Sequence, residues 1–421
     1  MSLFNLTYTK TKLENGLEVI LHRDDSLPLV AVNIWYKVGS ANERKGKTGL
    51  AHLFEHMMFQ GSENVPKEMH FKYIQEAGGI LNGSTSFDRT NYYEKLPSNA
   101  IEIPLWLESD RMGFLLNALD EEKLENQKSV VINERLERYD NQPYGLAWEI
   151  IVKNLFPENH PYSWPTIGFK EDIESFTLED VRSFFKSFYS PSNATLVVAG
   201  DIDQSETLAL VRKYFNEIPS YETPAPPASV DFQLSENIFI EHRDNVQLPR
   251  LYLAFPTVKS YQPKDAEFEI LSDILSGSKN SRLNKRLVFD EQIAQDVSAF
   301  QFSGKYGGMF MIVSTAKPGI KISELKEKIF EELSSVSSNG ITETELTKTR
   351  NGIKSNFIAS MQNLDNIADH LNHYNFYLNE PNSFEWDINR YMSVQTENVK
   401  DVCYELLNKK YLELNITPKE N

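Results

Sequence analysis

Apolar residues along the chain fall into two recurring patterns, which are short continuous runs and helical stripes. Apolar runs over 18–21 and 29–38 predict two strands of an antiparallel pair, and a third run predicts a strand over 195–200. Apolar residues three and four positions apart predict helices, which we place at 49–59, 69–77, 100–116, 121–139, 178–189 and 206–218. Because strands and helices do not alternate regularly, this order favours an α+β fold.

The pattern of the first strand returns in the second half of the chain. His22-Arg23-Asp24 follows an apolar run, and the same three residue types follow another apolar run at His242, 220 residues later. Between the two copies lies a proline-rich stretch over 219–228 that is typical of a linker. The sequence therefore predicts two homologous domains, with an N-terminal domain over 1–218, a linker over 219–232 and a C-terminal domain over 233–421.

Composition and charge restrict the classes of function. The 421 residues carry a formal net charge of −17, which argues against nucleic acid and anionic membranes as partners. The sequence contains no run of 18 apolar residues, so we expect no membrane-spanning helix. The first residues lack the basic and apolar regions of a signal peptide. We therefore expect a cytoplasmic location, with the periplasm as the alternative where a signal peptide has been removed. The single cysteine, Cys403, excludes an internal disulfide.

The strongest chemical signal is the sequence His52-Leu53-Phe54-Glu55-His56. Residues four apart lie on one face of a helix, so the two imidazoles converge and supply half of a tetrahedral zinc site. Glu55 lies on the same side, within reach of a metal-bound water and without being a ligand. The alternative is a polar stripe that faces solvent. The flanking residues are apolar, however, and burial of these polar groups among them is costly unless a metal compensates.

Such a site needs a third ligand, and the residues alone leave the choice open. Glu125, Glu134 and Glu137 all lie in the predicted helix over 121–139. Any of these carboxylates could complete the site, whereas surface charge is the ordinary role for most of them.

The remaining histidines offer no second site of this kind. The second half has no H-x-x-E-H sequence, and the corresponding helix there contains no histidine. His370 and His373 are predicted to lie on the surface, and His70 and His160 are predicted to be structural. The sequence therefore predicts one active half and one silent half.

The segment over 80–96 is rich in Thr, Ser and Tyr, which predicts strands. Gly83 within it is typical of a sheet edge that another backbone approaches closely. An ordinary edge hairpin explains the same pattern.

Taken together, these motifs resemble the pitrilysin or insulysin-like zinc peptidases, and in particular the shorter two-domain members related to mitochondrial processing peptidase. The resemblance runs along nearly the whole chain. It is carried by six stretches, Gly49–His56, Gly78–Thr85, Val130–Arg135, Asn141–Gly145, His160–Tyr162 and Asn193–Asp201. It implies two α/β-sandwich-like domains, each with a mostly antiparallel sheet and helices packed on one side.

The resemblance also implies roles for individual residues. His52, His56 and Glu134 would be ligands of one Zn²⁺ ion, and Glu55 would be the general base. The segment that would pair with an extended peptide substrate consists of Leu81, Asn82, Gly83, Ser84 and Thr85. Asn82 matches a residue that contacts the substrate backbone.

The implied function is zinc-dependent endopeptidase hydrolysis of unstructured peptides, enclosed between two halves of a clamshell. Zinc would activate a water molecule, and Glu55 would accept its proton and return it to the leaving amine. One alternative is a non-catalytic scaffold subunit of the same fold, which predicts a degraded motif. Another is a metal-binding protein that presents peptides without cutting them.

This chain departs from the family pattern at two places, one that supports the metal site and one that bears on the expected assembly. Many relatives carry a supporting Glu seven residues before the third ligand, where this chain has Gln127. Relatives also supply an Arg and a Tyr, seven residues apart, that grip the substrate. Those places fall on Val288 and Gln295 in this chain.

We therefore expect the chain to pair with a paralogous two-domain chain that supplies the Arg and the Tyr. A homodimer is the alternative, in which Arg282 or Arg286, together with Tyr306, takes over their function.

Overall fold

The computed structural model describes residues 6–228 and 230–419, which form two compact units. Unit 1 comprises the chain up to Arg135, Trp164–Pro227 and Ile358–Glu385. Unit 2 comprises Leu136–Ser163, Ala228–Phe357 and the chain from Trp386 onward. Each unit therefore combines segments from both halves of the sequence. The domain boundaries given above delimit sequence repeats rather than these units, and they stay a prediction.

Strands and α-helices are numbered in chain order over the described residues. The strands are β1 (Thr9–Lys12), β2 (Glu18–Arg23), β3 (Leu29–Tyr36), β4 (Ile80–Thr85), β5 (Thr90–Pro97), β6 (Ala194–Gly200), β7 (Ile238–Asp244), β8 (Arg250–Thr257), β9 (Ala294–Ser303), β10 (Gly308–Ala316) and β11 (Leu412–Pro418). The helices are α1 (Leu50–Met57), α2 (Met69–Glu76), α3 (Glu102–Phe114), α4 (Glu121–Arg135), α5 (Ala147–Leu155), α6 (Lys170–Glu174), α7 (Leu178–Phe188), α8 (Gln204–Phe215), α9 (Asp265–Ser276), α10 (Ile322–Asn339), α11 (Glu343–Ser360), α12 (Leu364–Leu378), α13 (Phe384–Ser393) and α14 (Thr396–Asn408).

The sheet of unit 1 has the strand order β1-β2-β6-β3-β5-β4. Strand β6 is buried along its whole length and lies between β2, to which it is parallel, and β3, to which it is antiparallel. The predicted pairing of β2 with β3 is therefore wrong, because the later strand β6 inserts between them. All other neighbours are antiparallel.

Helices cover both faces of the central strands in unit 1. On one face of β3, Tyr36 packs against Tyr189 at the end of α7, with ring centroids 4.8 Å apart. On the other face, the indole Nε1 of Trp35 donates a hydrogen bond of 3.1 Å to Asp369 on α12. The prediction placed helices on one side of the sheet, and α12, which comes from the second half of the chain, adds a cover on the opposite side.

The sheet of unit 2 has the order β7-β11-β8-β10-β9, and its only parallel pair is β7 with β11 among the described strands. Strands β7, β11, β8, β10 and β9 thus repeat the connections of β2, β6, β3, β5 and β4. The predicted α+β class and the internal repeat are confirmed. No described helix is both long and apolar enough to cross a membrane.

Candidate active site

A half-buried carboxylate fixes the start of helix α1. Gly49 at the N-cap has φ 94°, in the left-handed region, and a Cβ atom there would meet the carbonyl oxygen of Ile167 at 2.7 Å. The two carboxylate oxygens of Glu43 accept hydrogen bonds from the backbone N–H groups of Gly49 and Ala51, at 2.8 and 2.7 Å. A carboxylate at this end satisfies free N–H groups and complements the helix dipole. Sequence reasoning did not identify Glu43.

The apolar residues of α1 anchor it in the core and leave its polar residues together on one side. Phe54 is completely buried and stacks on Tyr189 and Phe185, with ring centroids 4.6 and 5.6 Å apart. His52, Glu55 and His56 are only partly buried. The predicted helix is thus present, and its polar residues form neither a solvent-facing stripe nor part of the apolar core.

His52, His56 and Glu134 bring three potential metal ligands together. The distance to Glu134 Oε2 is 3.7 Å from His52 Nε2 and 3.2 Å from His56 Nε2. Ligand atoms of a tetrahedral zinc site with bonds of about 2.05 Å are about 3.3 Å apart. Two imidazole nitrogens and one carboxylate oxygen also form a donor set that zinc prefers. The side chains therefore fit a zinc ion with an open fourth position.

Helix α4 positions Glu134, the third member of this group. The next residue, Arg135, is buried and donates a hydrogen bond of 2.7 Å to the carbonyl oxygen of Gly168. The other two carboxylates considered above lie elsewhere. Glu125 is exposed and forms an ion pair of 2.7 Å with the buried Lys128, and Glu137 is exposed in the π-helical turn that follows α4.

Glu55 lies beside the ligand group and is held by strand β4. The hydroxyl of Thr85 donates a hydrogen bond of 2.7 Å to Glu55 Oε2. A Cβ atom on Gly83 would lie 3.3 Å from Glu55 Cγ, so the glycine permits the strand to approach this side chain closely. Burial raises the pKa of the Glu55 carboxyl, and the hydrogen bond from Thr85 opposes that rise.

Strand β4 is an edge strand of the sheet in unit 1, as predicted for the segment Leu81–Thr85. It pairs with β5 on one side, and no other described strand adjoins it. Gly83 and Thr85 contact Glu55, whereas Asn82 is exposed and its side chain accepts a hydrogen bond from the backbone of Gly83. Two alternate residues of this strand therefore face Glu55, and Asn82 faces the solvent.

A second group of ligand-type side chains lies in the core of unit 1. His70, Glu94 and Glu108 are almost completely buried and bring their polar atoms within 4.8 Å of one another. The guanidinium of Arg111 pairs with Glu108 and lies 3.6 Å from Glu94. A cation is thus already present as a side chain, so this group is a buried ion network, and the structural role predicted for His70 is consistent with it.

The remaining histidines have packing roles. His160 is buried, and its Nδ1 accepts a hydrogen bond of 3.0 Å from the backbone N–H of Tyr162. His370 and His373, predicted to be surface residues, are half-buried. His373 packs edge-on against Trp35, with ring centroids 6.1 Å apart. The prediction of a surface position was wrong because α12 lies against the sheet of unit 1.

The groups suggested as substitutes for the missing Arg and Tyr are already engaged within unit 2. Arg282 forms an ion pair of 2.7 Å with Glu345, and Arg286 pairs with Glu291 at 2.7 Å. Tyr306 is buried, and its backbone N–H donates a hydrogen bond to the hydroxyl of Tyr162. The structure therefore gives no support to these three residues as substrate-gripping groups. Val288 packs against the core, and Gln295 is exposed.

The two units have sheets of one topology. Helices α1 and α4 of unit 1 carry a His–His–Glu group beside a partly buried glutamate. These features define a class of metallohydrolases built from repeated α+β domains. Residues 18–163 match the model of the family "Insulinase (Peptidase family M16)", and residues 175–353 match "Peptidase M16 inactive domain". The chain is 30% identical to "Zinc protease PqqE" of Helicobacter pylori over 85% of this chain and 80% of that protein. It is 26% identical to "Probable mitochondrial-processing peptidase subunit beta, mitochondrial" of Arabidopsis thaliana over 86% and 69%.

A solved structure has the same fold along the whole chain. "The crystal structure of a protease from Helicobacter pylori" matches with a TM-score of 0.93 and 26% identity, and the match covers 99% of this chain and 100% of that one. The chain belongs to peptidase family M16. The resemblance to pitrilysin-type zinc metalloproteases is thereby confirmed, and the function is of the peptidase type.

Proposed function

We propose that this chain is a zinc-dependent endopeptidase that hydrolyses unstructured peptides. The observation that carries the proposal is the convergence of His52, His56 and Glu134, with Glu55 beside them. This arrangement supplies three ligands and one base, which is the minimum that hydrolysis at a zinc centre requires. The names of the relatives, which are zinc proteases, support the same reading.

In this proposal each side chain has a distinct task. His52, His56 and Glu134 hold the metal, which when bound activates a water molecule and polarises the scissile carbonyl. A carboxylate oxygen of Glu55 accepts the proton of the attacking water and returns it to the leaving nitrogen. Thr85 fixes the orientation of that carboxylate through its hydrogen bond. The open edge of β4, with Leu81, Asn82, Gly83, Ser84 and Thr85, adds an extended peptide as a further strand.

Removal of the metal tests the function directly. We expect the zinc-loaded chain, assayed together with the second two-domain chain proposed below, to cleave a library of quenched unstructured peptides, to lose this activity after chelation and to regain it when zinc is restored. A zinc-loaded chain that binds peptides without cutting them would be a peptide-presenting protein. A chain that neither retains zinc nor cuts would be a scaffold subunit. Either result contradicts the proposal.

The choice of Glu134 as third ligand predicts a difference between two neighbouring carboxylates. We expect Glu134→Gln to weaken zinc binding by more than about 100-fold, the upper end of the loss seen for residues that merely support a ligand. Glu137→Gln is the matched control, because that side chain is exposed and lies outside the ligand group. Competition titration with a zinc indicator measures both variants. An equal loss of affinity in the two would contradict the assignment.

For the assembly, we propose that the chain acts together with a second two-domain chain. Val288 and Gln295 stand where relatives supply a gripping Arg and Tyr, and Arg282, Arg286 and Tyr306 are already engaged.

We expect the purified chain alone to cleave peptides poorly and a paralogous chain without the H-x-x-E-H sequence to raise the rate. Mass in solution is measured together with activity. Full activity from a homodimer would favour the alternative assembly, and full activity from a strict monomer would contradict both.

A further inference from the structure

An open cavity of about 450 Å³ lies within unit 2, at the end of the sheet where β8 begins. The residues that line it include Tyr144, Gln247, Arg250, Gln295 and Thr315. None of the lining residues is acidic, although the chain carries a net charge of −17. Arg250 is the one residue of the lining with a full charge.

Arg250 has no carboxylate partner, in contrast to three other arginines of unit 2. Arg282, Arg286 and Arg390 each form ion pairs with Glu or Asp. Among the described residues, no carboxylate oxygen lies within 4.0 Å of the Arg250 guanidinium. Its Nε donates a hydrogen bond of 2.8 Å to Thr315 Oγ1, and Tyr252 is a further interacting group. The two Nη groups thus keep hydrogen-bonding capacity that the protein does not use.

The ring of Tyr144 forms a rigid support for this guanidinium. The Arg250 Cζ lies 3.7 Å from the Tyr144 ring centroid. The Tyr144 hydroxyl donates a hydrogen bond of 2.7 Å to the carbonyl oxygen of Leu248, and its backbone N–H donates one of 3.0 Å to Asp244. Tyr144 has φ 62°, which non-glycine residues rarely adopt. These contacts hold the residue in a strained conformation that places its ring against Arg250.

We propose that this cavity binds a peptide carboxylate through Arg250. A planar guanidinium fixed by stacking presents two N–H groups in the geometry of a carboxylate. Arg250 is the single cation of a lining without acidic residues. Behind that lining, the carboxylates of Asp244 and Asp296 accept hydrogen bonds from Tyr144 and Thr315. One positive charge matches a monoanion better than a phosphate dianion. The inference rests on the proposed peptidase function, since peptide substrates and products supply such groups at their C-terminus and at Asp and Glu side chains. The cavity would thereby favour peptides that carry a carboxylate away from the scissile bond.

Isothermal titration of the full-length, zinc-loaded chain tests this, with Glu55→Gln as background so that peptides stay intact. Three acetylated peptides of otherwise identical, uncharged sequence serve as probes. One has a free C-terminus, one a C-terminal amide, and one a C-terminal amide with an internal Glu. We expect at least one acidic probe to bind about tenfold or more tightly than the neutral amide, as for a charge-assisted hydrogen bond. The probe that gains affinity identifies the source of the carboxylate.

We expect Arg250→Gln to remove the preference for the acidic probe and Arg250→Lys to keep part of it. Arg286→Gln, a change at an arginine that has carboxylate partners, is the control and should leave the preference unchanged. Equal affinity of all three probes for the parent chain would overturn the proposal, even if the Arg250 variants did not fold. Acid preference without any cleavage activity in the wild-type chain would contradict the proposed function alone, and cleavage without acid preference would contradict the cavity alone.

Discussion

Glu55→Gln should abolish peptide cleavage while the chain keeps its zinc. The substitution preserves the size of the side chain and an oxygen that can accept the hydrogen bond from Thr85. It removes the group that accepts a proton, and general acid–base catalysis contributes about 10²–10⁴-fold to a rate. We therefore expect turnover to fall by at least that factor. The ligands His52, His56 and Glu134 are unchanged, so the zinc content per chain should stay the same.

Metal analysis and a quenched-peptide assay on the same preparation give both quantities. Glu76→Gln makes the same chemical change at an exposed carboxylate, which pairs with Lys72 at 3.8 Å on the surface of α2, and should alter neither. Near-normal turnover of Glu55→Gln would exclude Glu55 as the base. Loss of zinc would instead show that Glu55 contributes to holding the metal.

The two histidine ligands could be predicted from the sequence because their arrangement depends only on residues of one helix. Two imidazoles four residues apart in an apolar helix converge by helix geometry alone. The third ligand could not be chosen from such a local pattern. Glu125, Glu134 and Glu137 follow the same pattern, and only the resemblance to a family favoured Glu134. The structure brings Glu134 to His56 because α4 packs on α1, a contact between segments about 80 residues apart that local patterns do not encode.

The error in the predicted strand order has the same origin, a contact between distant segments. Strands β2 and β3 follow one another in sequence, and neighbouring strands often pair. The predicted pairing of β2 with β3 is wrong because β6, some 160 residues later, inserts between them. Strand β6 is apolar enough to be buried on both sides. Strand identity was thus predictable from periodicity, whereas strand order depended on non-local competition.

Helix α12 shows a further limit. Its polar residues suggested an exposed helix, but the partners of those residues lie in the first half of the chain. Asp369 accepts a hydrogen bond from Trp35, and Asn372 donates one of 2.9 Å to the carbonyl oxygen of Asn33. A polar residue that is buried with a hydrogen-bond partner cannot be told from an exposed one by its type. Sequence reasoning therefore assigned His370 and His373 to the surface.

The buried network around Arg111 leads to the second prediction with a large expected effect. Arg111 pairs with Glu108, lies near Glu94 and rests on the ring of Tyr92, with its Cζ 4.0 Å from the centroid. Burial, with repulsion from Glu108 as a further cause, raises the pKa of Glu94 well above its usual range, and burial lowers the pKa of His70. The ion pair between Arg111 and Glu108 is the closest contact between opposite charges in this network, so we expect it to contribute most to stability.

Arg111→Met removes the guanidinium that pairs with Glu108 and leaves that carboxylate without its partner in the core. Loss of one partner of a buried ion pair costs about 3–5 kcal/mol, and we expect the free energy of unfolding in urea at pH 7 to fall by that amount. Lys213→Met breaks an exposed pair with Glu102 and is the matched control, for which we expect an unchanged unfolding midpoint.

The double variant Arg111→Met/Glu108→Gln separates the lost charge from the lost packing. Replacement of both members of a buried ion pair is often nearly neutral, because the uncompensated charge is then absent. We therefore expect the double variant to recover most of the stability that the single variant loses. If both variants were equally unstable, the contribution of Arg111 would come from its contacts with Tyr92 and Phe59 rather than from its charge. If Arg111→Met were as stable as the wild-type chain, the buried ion pair would make no net contribution to stability, which would contradict the prediction.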